Sequence, residues 1–335
     1  MIYCWQANNM RVVMYTKAGP PERLTTVEAP DPQPGPGEVV VSVSFASITF
    51  ADTQMRSGLI EQPDASPAGS PTSGIVPGNG VSGSVIAVGE DVDPAWIGRP
   101  VAAATGGGGY AERVAVPVGE LYRLPRGLPL DSAAALIADG RTALALARAA
   151  GVAAGETVLV SAAAGGVGTL LVQLLRRVHG VTVIGLARGA RKATMVDRLG
   201  GSGVNYGASG WLEALRHSAP GGVDVAFDGV GGATGSAILG LVNDGGRYLN
   251  HGMASGTPTP VDENDLQLRG VSVIRLGEIV RGPEDNRNLV NAAFREAAAG
   301  WLQPVIGQRY RLSEASDAHR AIEARETVGK TLLAV

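Results

Sequence analysis

Thr157-Val-Leu-Val-Ser-Ala-Ala-Ala-Gly-Gly-Val-Gly168 sets an apolar strand, Thr157 to Ser161, directly before a glycine turn. The turn opens an amphipathic helix over Thr169 to Val178. The spacing Ala163-x-Gly165-x-x-Gly168, with Ala164, Gly166 and Val167 between, is a dinucleotide fingerprint whose first glycine is replaced. Glycine at 165 lets the backbone approach a pyrophosphate, and glycine at 168 lets the helix pack closely on the strand. Free amides and the positive dipole end of the helix then favour a phosphate. A glycine fingerprint alone is a weak signal. The strand–turn–helix context is what strengthens it.

Working outward, the same alternation continues. Strand-like runs at Val181 to Leu186, Gly203 to Tyr206, Val223 to Asp228, Gly246 to Asn250 and Val271 to Leu276 are interleaved with helical stretches such as Lys192 to Leu199. Short apolar strands alternating with helices predict an α/β fold with a doubly wound parallel sheet, the Rossmann arrangement. Upstream, Asp131-Ser132 caps an Ala-rich helix through Ala138, and Thr142 to Ala150 continues in helical register. The first third reads differently. Glu38 to Ser44, Val81 to Val88 and Tyr110 to Val116 are short strands between Gly/Pro turns, which predicts a small β-barrel. The tail has a helix over Arg287 to Ala299, a strand over Arg309 to Leu312, a helix over Ala315 to Glu323 and a last strand from Lys330. The expected organisation is a barrel part over 1–130, a nucleotide domain over 131–278 and a return to the barrel over 279–335. Residues 1–9 read as an extra arm and 61–74 as a surface loop.

Composition bounds the function. The chain has 335 residues, 45% hydrophobic and 18% charged, enough apolar material for real cores and unlike a disordered chain. The net charge of −3 argues against a nucleic-acid or anionic-membrane partner. Cys4 is the only cysteine, so an internal disulfide and a thiolate-rich metal site are excluded. No apolar run approaches the ~20 residues that span a bilayer. Met1 to Gln6 lack a secretory n-region and h-region, so a cytoplasmic protein is expected.

Cofactor preference is read at the end of the second strand. NAD enzymes carry an acid about 20 residues after the glycines, where it binds the ribose hydroxyls. Here the strand ends in Ala187-Arg188-Gly189-Ala190-Arg191-Lys192, with three cations and no acid. Arginine is shaped to hold a 2′-phosphate, so NADPH is expected; a solvated basic helix start is the plainer reading.

Further segments carry a family likeness. Pro34-Gly35-Pro36-Gly37-Glu38-Val39, Thr49-x-x-Asp52-x-x-x-Arg56-x-Gly58, Gly83-x-Val85-x-x-Val88-Gly89, Gly109-Tyr110-Ala111-Glu112, Asp228-x-Val230-Gly231 and Gly245-Gly246-Arg247 join the Ala162 to Gly168 turn. From about Met10 to its end the chain resembles the zinc-independent quinone oxidoreductases, the zeta-crystallin-like group of the medium-chain dehydrogenase/reductases. The resemblance implies a discontinuous GroES-like barrel, an NADPH-binding Rossmann domain and hydride transfer in a cleft between them. It implies that Arg188, Lys192 and Tyr206 hold the 2′-phosphate and that Ala163 to Gly168 hold the pyrophosphate. It places Thr142, Asn250, His251, Gly252 and Ile274 around the nicotinamide, and Thr49 where relatives commonly have an asparagine on the substrate side. It also implies a homodimer joined through the edge strand Val271 to Leu276.

The chemistry follows from what is missing. Where zinc-dependent relatives read Gly-His-Glu, this chain reads Gly78-Asn79-Gly80, and no metal is expected. His179, His217 and His319 read as surface residues; His251 either touches cofactor or substrate or is structural. Without zinc the natural reaction is hydride transfer from NADPH to a quinone or activated enone, with donors stabilising the developing oxyanion. Thr49 and backbone amides are candidates, and Tyr110 is either a nearby phenol or a packing residue. An enoyl reductase is the alternative enzyme, though Ile60 stands where such enzymes place a tyrosine donor. An NADPH-binding protein with little turnover is the non-enzyme alternative.

Overall fold

Among the described residues, strand pairing starts at Asn9. The computed structural model describes residues 9–61, 74–279 and 282–335; the expected arm up to Asn8, with Cys4, and the loop from Gln62 to Ser73 lie outside the described residues. The chain forms two compact units, one from Met1–Ala138, Phe294–Trp301 and Ile306–Val335, the other from Asp139–Ala293 and Leu302–Val305.

In the first unit β1 (Asn9–Met14) pairs antiparallel with β2 (Thr25–Pro30). Then come β3 (Glu38–Ile48), α1 (Phe50–Ser57), β4 (Gly80–Val88), β5 (Pro100–Ala104), β6 (Arg113–Pro117) and β7 (Leu121–Arg123). β3 outruns the expected Glu38 to Ser44 because three strands use it. β4 runs along it, β6 pairs with its first half, and the chain's last strand pairs with Phe45 to Ile48. Alternation along β3 turns Val39, Val41 and Val43 into the core. β5 was not legible in the sequence, since Pro-Val-Ala-Ala-Ala lacks β-branched density; pairing with β4 and β7 makes it a strand.

α2 (Leu130–Ala150) joins the two helical stretches that the sequence separates. Gly140 costs a helix only about 1 kcal/mol, and burial of Leu136 and Leu146 on either side outweighs it. The division between units falls inside α2, after Ala138. Its first half packs on β4, where Ser82 Oγ donates to Leu130 O at 2.7 Å and a Cβ on Gly80 would come within 2.5 Å of Ile137 Cγ2.

The second unit runs β8 (Thr157–Val160), α3 (Gly166–Leu175), β9 (Thr182–Ala187), α4 (Ala190–Arg198), β10 (Ser202–Asn205), α5 (Trp211–Ser218), β11 (Val223–Asp228), α6 (Gly232–Leu239), β12 (Val242–Asn250), α7 (Glu263–Arg269) and β13 (Ser272–Arg275). All pairs are parallel, in the order β10-β9-β8-β11-β12-β13. This is the Rossmann order, and the order in which strands are added reverses between β8 and β11, where such sheets bind ligands. β13 pairs only with β12 among the described residues, which leaves it an edge.

α8 (Pro283–Ala298) carries the chain back: Phe294 meets Tyr122 edge-on at 6.2 Å. β14 (Ile306–Arg311), α9 (Ala315–Glu323) and β15 (Lys330–Ala334) complete the first unit, with β15 between β14 and β3. No described helix is long and apolar enough to cross a membrane.

Candidate functional site

The chain leaves β8 through Ser161 and turns from Ala162 to Gly165 into α3. Ala162 adopts φ 49°, a left-handed conformation that is uncommon for a residue with a side chain. Gly165 N–H closes the turn on Ala162 O at 2.8 Å, and Ala163 N–H donates to Leu186 O at 3.0 Å. A Cβ on Gly168 would lie 2.4 Å from Ala162 O and 2.7 Å from Ala163 Cα, so only glycine lets α3 sit this close to the turn. α3 has no side-chain cap at Gly165, which leaves its first amides to an anion.

Asp228, at the end of β11, anchors the reversal point. It is fully buried and accepts from Ser161 Oγ (2.8 Å), Val230 N (2.9 Å), Gly231 N (3.1 Å), Tyr248 Oη (2.5 Å) and Thr259 Oγ1 (2.8 Å). Burial alone would raise its pKa. The hydrogen bonds from Tyr248, Val230, Ser161 and Thr259 outweigh burial and hold it below the usual carboxylate range. In the sequence Asp228 stands only within the motif Asp228-x-Val230-Gly231, with nothing to signal this role. Its five donors come from four separate stretches of the chain and are not visible in one dimension.

The third part of the site is the pair of strand ends after β9 and β10. Their register pairs Ala187 with Asn205, so Arg188 and Tyr206 emerge side by side. Tyr206 N–H donates to Ala187 O at 3.1 Å, and its ring meets Trp211 edge-on at 6.3 Å. Arg188 is exposed and Lys192, one turn into α4, is half-buried. The buried Ala187 puts no carboxylate beside them. This donor set fits a phosphate monoester on the adenosine ribose.

Around the expected nicotinamide position, Asn250, His251 and Gly252 cluster at the end of β12. His251 N–H donates to Asp228 O at 2.8 Å, and a Cβ on Gly229 would come within 2.7 Å of His251 Cε1. Burial pushes the His251 imidazole down to about 4 against the nearby Asp228 charge, so the ring is neutral at neutral pH, and Nε2 has no partner among the described residues. Ile274 lies on β13 opposite Leu249. Thr142 is half-buried on α2 and shares no hydrogen bond with these residues among those described.

In the first unit, Thr49 and Tyr110 both have partners within the fold. Thr49 is the N-cap of α1 in a capping box: it accepts from Asp52 N at 3.2 Å, and its hydroxyl and backbone N–H both donate to Asp52 Oδ2 at 2.6 Å. Its one hydroxyl proton is therefore directed at Asp52. Thr-x-x-Asp was the available signal for this cap. Asn79 Nδ2 donates to the same carboxylate at 3.0 Å.

Tyr110 is fully buried, its hydroxyl 2.9 Å from His319 Nε2, so it is a core residue and not a substrate-facing phenol. His319, expected at the surface, is likewise fully buried, because α9 packs its Ala315, Ala318 and His319 face inward. The same cluster holds the buried Arg56, which bonds Gly19 O and Glu323. Burial, helped by Arg56, pushes His319 down to about 3.

That shift has a sign. The unfolded imidazole protonates near 6.5 while the folded one stays neutral, so stability is present above about 6.5 and declines as pH falls toward 3, by up to about 1.4 kcal/mol per unit. His319→Gln removes this titration. Urea unfolding between pH 6 and 4 should then show a shallower loss than wild type, and an unchanged slope would show that His319 does not drive it.

The parallel order and this strand-end site define a Rossmann dinucleotide-binding protein. Comparison with known proteins narrows the class. The family model described as "Alcohol dehydrogenase GroES-like domain" matches residues 35–126, and "Zinc-binding dehydrogenase" matches 200–333. The chain is 32% identical to a probable quinone oxidoreductase of Schizosaccharomyces pombe over 96% of each chain. It is 32% identical to a quinone oxidoreductase of Pseudomonas aeruginosa over 96% of this chain and 98% of that one. The crystal structure of Escherichia coli quinone oxidoreductase complexed with NADPH superposes with a TM-score of 0.86 at 29% identity, covering 97% of this chain and 100% of that one. The chain belongs to the zeta-crystallin-like quinone oxidoreductases of the medium-chain dehydrogenase/reductase superfamily. Despite the name of one matching model, no group of three or more His, Cys, Asp or Glu side chains among the described residues is placed to hold a metal ion.

Proposed function

We propose that this protein is an NADPH-dependent reductase of quinones or similarly activated enones, working without a metal in the cytoplasm. The observation that carries the cofactor is that Arg188 and Tyr206 each follow directly on the paired strand ends Ala187 and Asn205 of β9 and β10, with no carboxylate at Ala187. The glycine turn supports the same reading by opening α3 to a pyrophosphate, with Asp228 holding the reversal point beneath it. Bound NADPH supplies the hydride; the chain's residues bind it, orient it and hold the neutral His251 in place. Since Thr49 donates to Asp52, stabilising the reduced oxygen falls to backbone amides, and a quinone's reduced oxygens can take protons from water. Following loss of NADPH absorbance with a simple quinone tests the reading. Tight NADPH binding with no turnover across a quinone and enone panel would favour a non-catalytic binding protein.

The edge strand β13 carries the reading on assembly. An unpaired parallel edge is a template for another chain, and joining two such edges about a two-fold axis covers both. We expect a homodimer. A concentration-independent monomer mass by light scattering would rule it out.

A further inference from the structure

We propose that Asn205 is a specificity-determining residue: it holds the arginine and tyrosine that receive the 2′-phosphate in one arrangement, and does so without a charge that would repel it. The inference rests on the reading of Arg188 as the phosphate ligand. Asn205 closes β10, and its Oδ1 accepts from Gly189 N at 2.7 Å and from Gly207 N at 3.0 Å. Both partners are N–H donors, so the amide oxygen must face them. One atom thus ties the loop after β9 to the loop after β10. Gly207 completes the junction: a Cβ there would lie 3.1 Å from Arg188 Cγ, so the stem of Arg188 rests on that glycine. Tyr206, between Asn205 and Gly207, is fixed to the same junction through Ala187 O.

The neutral amide is the informative feature. An aspartate of the same shape would accept these two bonds more strongly, because charge-assisted bonds exceed neutral ones. If holding the loops together were the whole role, a carboxylate would serve better. An amide makes the same junction while leaving the neighbourhood of Arg188 free of negative charge, as Ala187 does on the adjacent strand.

Two substitutions separate the possibilities. Asn205→Ala removes the acceptor, and should weaken NADPH binding about five- to tenfold with NADH changed less than about twofold. Asn205→Asp keeps the acceptor, and should weaken NADPH more than Asn205→Ala does while matching wild type in thermal unfolding and in NADH affinity. A stabilising role alone gives the opposite order, with Asp benign and Ala damaging to both cofactors. Isothermal titration of NADPH, NADH and adenosine 2′,5′-bisphosphate reads this directly. A cycle with Arg188→Ala completes the test. If Asn205 acts through Arg188 and Tyr206, the loss in the double variant Arg188→Ala/Asn205→Ala falls well short of the sum of the single losses, whereas additive losses overturn the proposal. If Arg188→Ala itself fails to separate the two cofactors, the underlying reading of Arg188 fails first.

Discussion

Arg188→Ala is expected to weaken NADPH binding about ten- to a hundredfold while leaving NADH nearly untouched. The two cofactors differ by one phosphate, nearly dianionic at neutral pH. Arg188 emerges from β9 beside Tyr206, with Lys192 one turn into α4, and no carboxylate stands at Ala187. Charge-assisted hydrogen bonds to such a group contribute about 1.5–3 kcal/mol each. Exposure of Arg188 means salt screening trims the effect toward the lower end, so the titration belongs at low and at physiological ionic strength. Equal losses for NADH and NADPH would make Arg188 a structural residue.

The largest stability effect is expected at Asp228. Asp228→Ala leaves Ser161, Tyr248, Thr259 and the Val230 and Gly231 amides without their acceptor in a fully buried place, a loss of about 3–5 kcal/mol. Asp228→Asn should cost less. With its Nδ2 on the side of Tyr248 and Thr259, two rotatable hydroxyls can turn to accept, and the remaining oxygen keeps Ser161 and the amides. Because the folded carboxyl is held below its ordinary value, its contribution is present above the unfolded pKa and is lost as pH falls through the carboxylate range. Urea unfolding at neutral pH measures the ranking. If Asp228→Asn proved as damaging as Asp228→Ala, charge rather than hydrogen-bond geometry would govern the cluster.

The nucleotide unit was largely legible because its signals are local. The apolar run from Thr157 needs only its own residues to read as a buried strand, and β11 has the bounds expected from Val223 to Asp228. Gly168 shows its reason in the turn beside it, where a side chain would strike the backbone of Ala162 and Ala163. The basic end of β9 could be read for the same reason: Ala187, Arg188 and Lys192 lie within two turns of chain. Helices α5, α6 and α7 are not legible in the sequence, being only 8, 8 and 7 residues long, with helical conformation stabilised mainly by the sheet they cover.

What the sequence determined by itself was therefore the parallel sheet, its glycine turn and the positive charge at the end of β9, since each depends on residues a few positions apart. Tertiary structure alone decided the rest. Tyr110 and His319 are 209 positions apart, and only the return of α9 makes them partners and buries both. Thr49 looks like a free donor until it and Asn79 are seen converging on the Asp52 carboxylate. Asp228 and Asn205 draw their roles from amides and hydroxyls on neighbouring strands and the loops that follow them. A buried polar group takes its meaning from whatever partner satisfies it, and chain folding, not sequence proximity, supplies that partner.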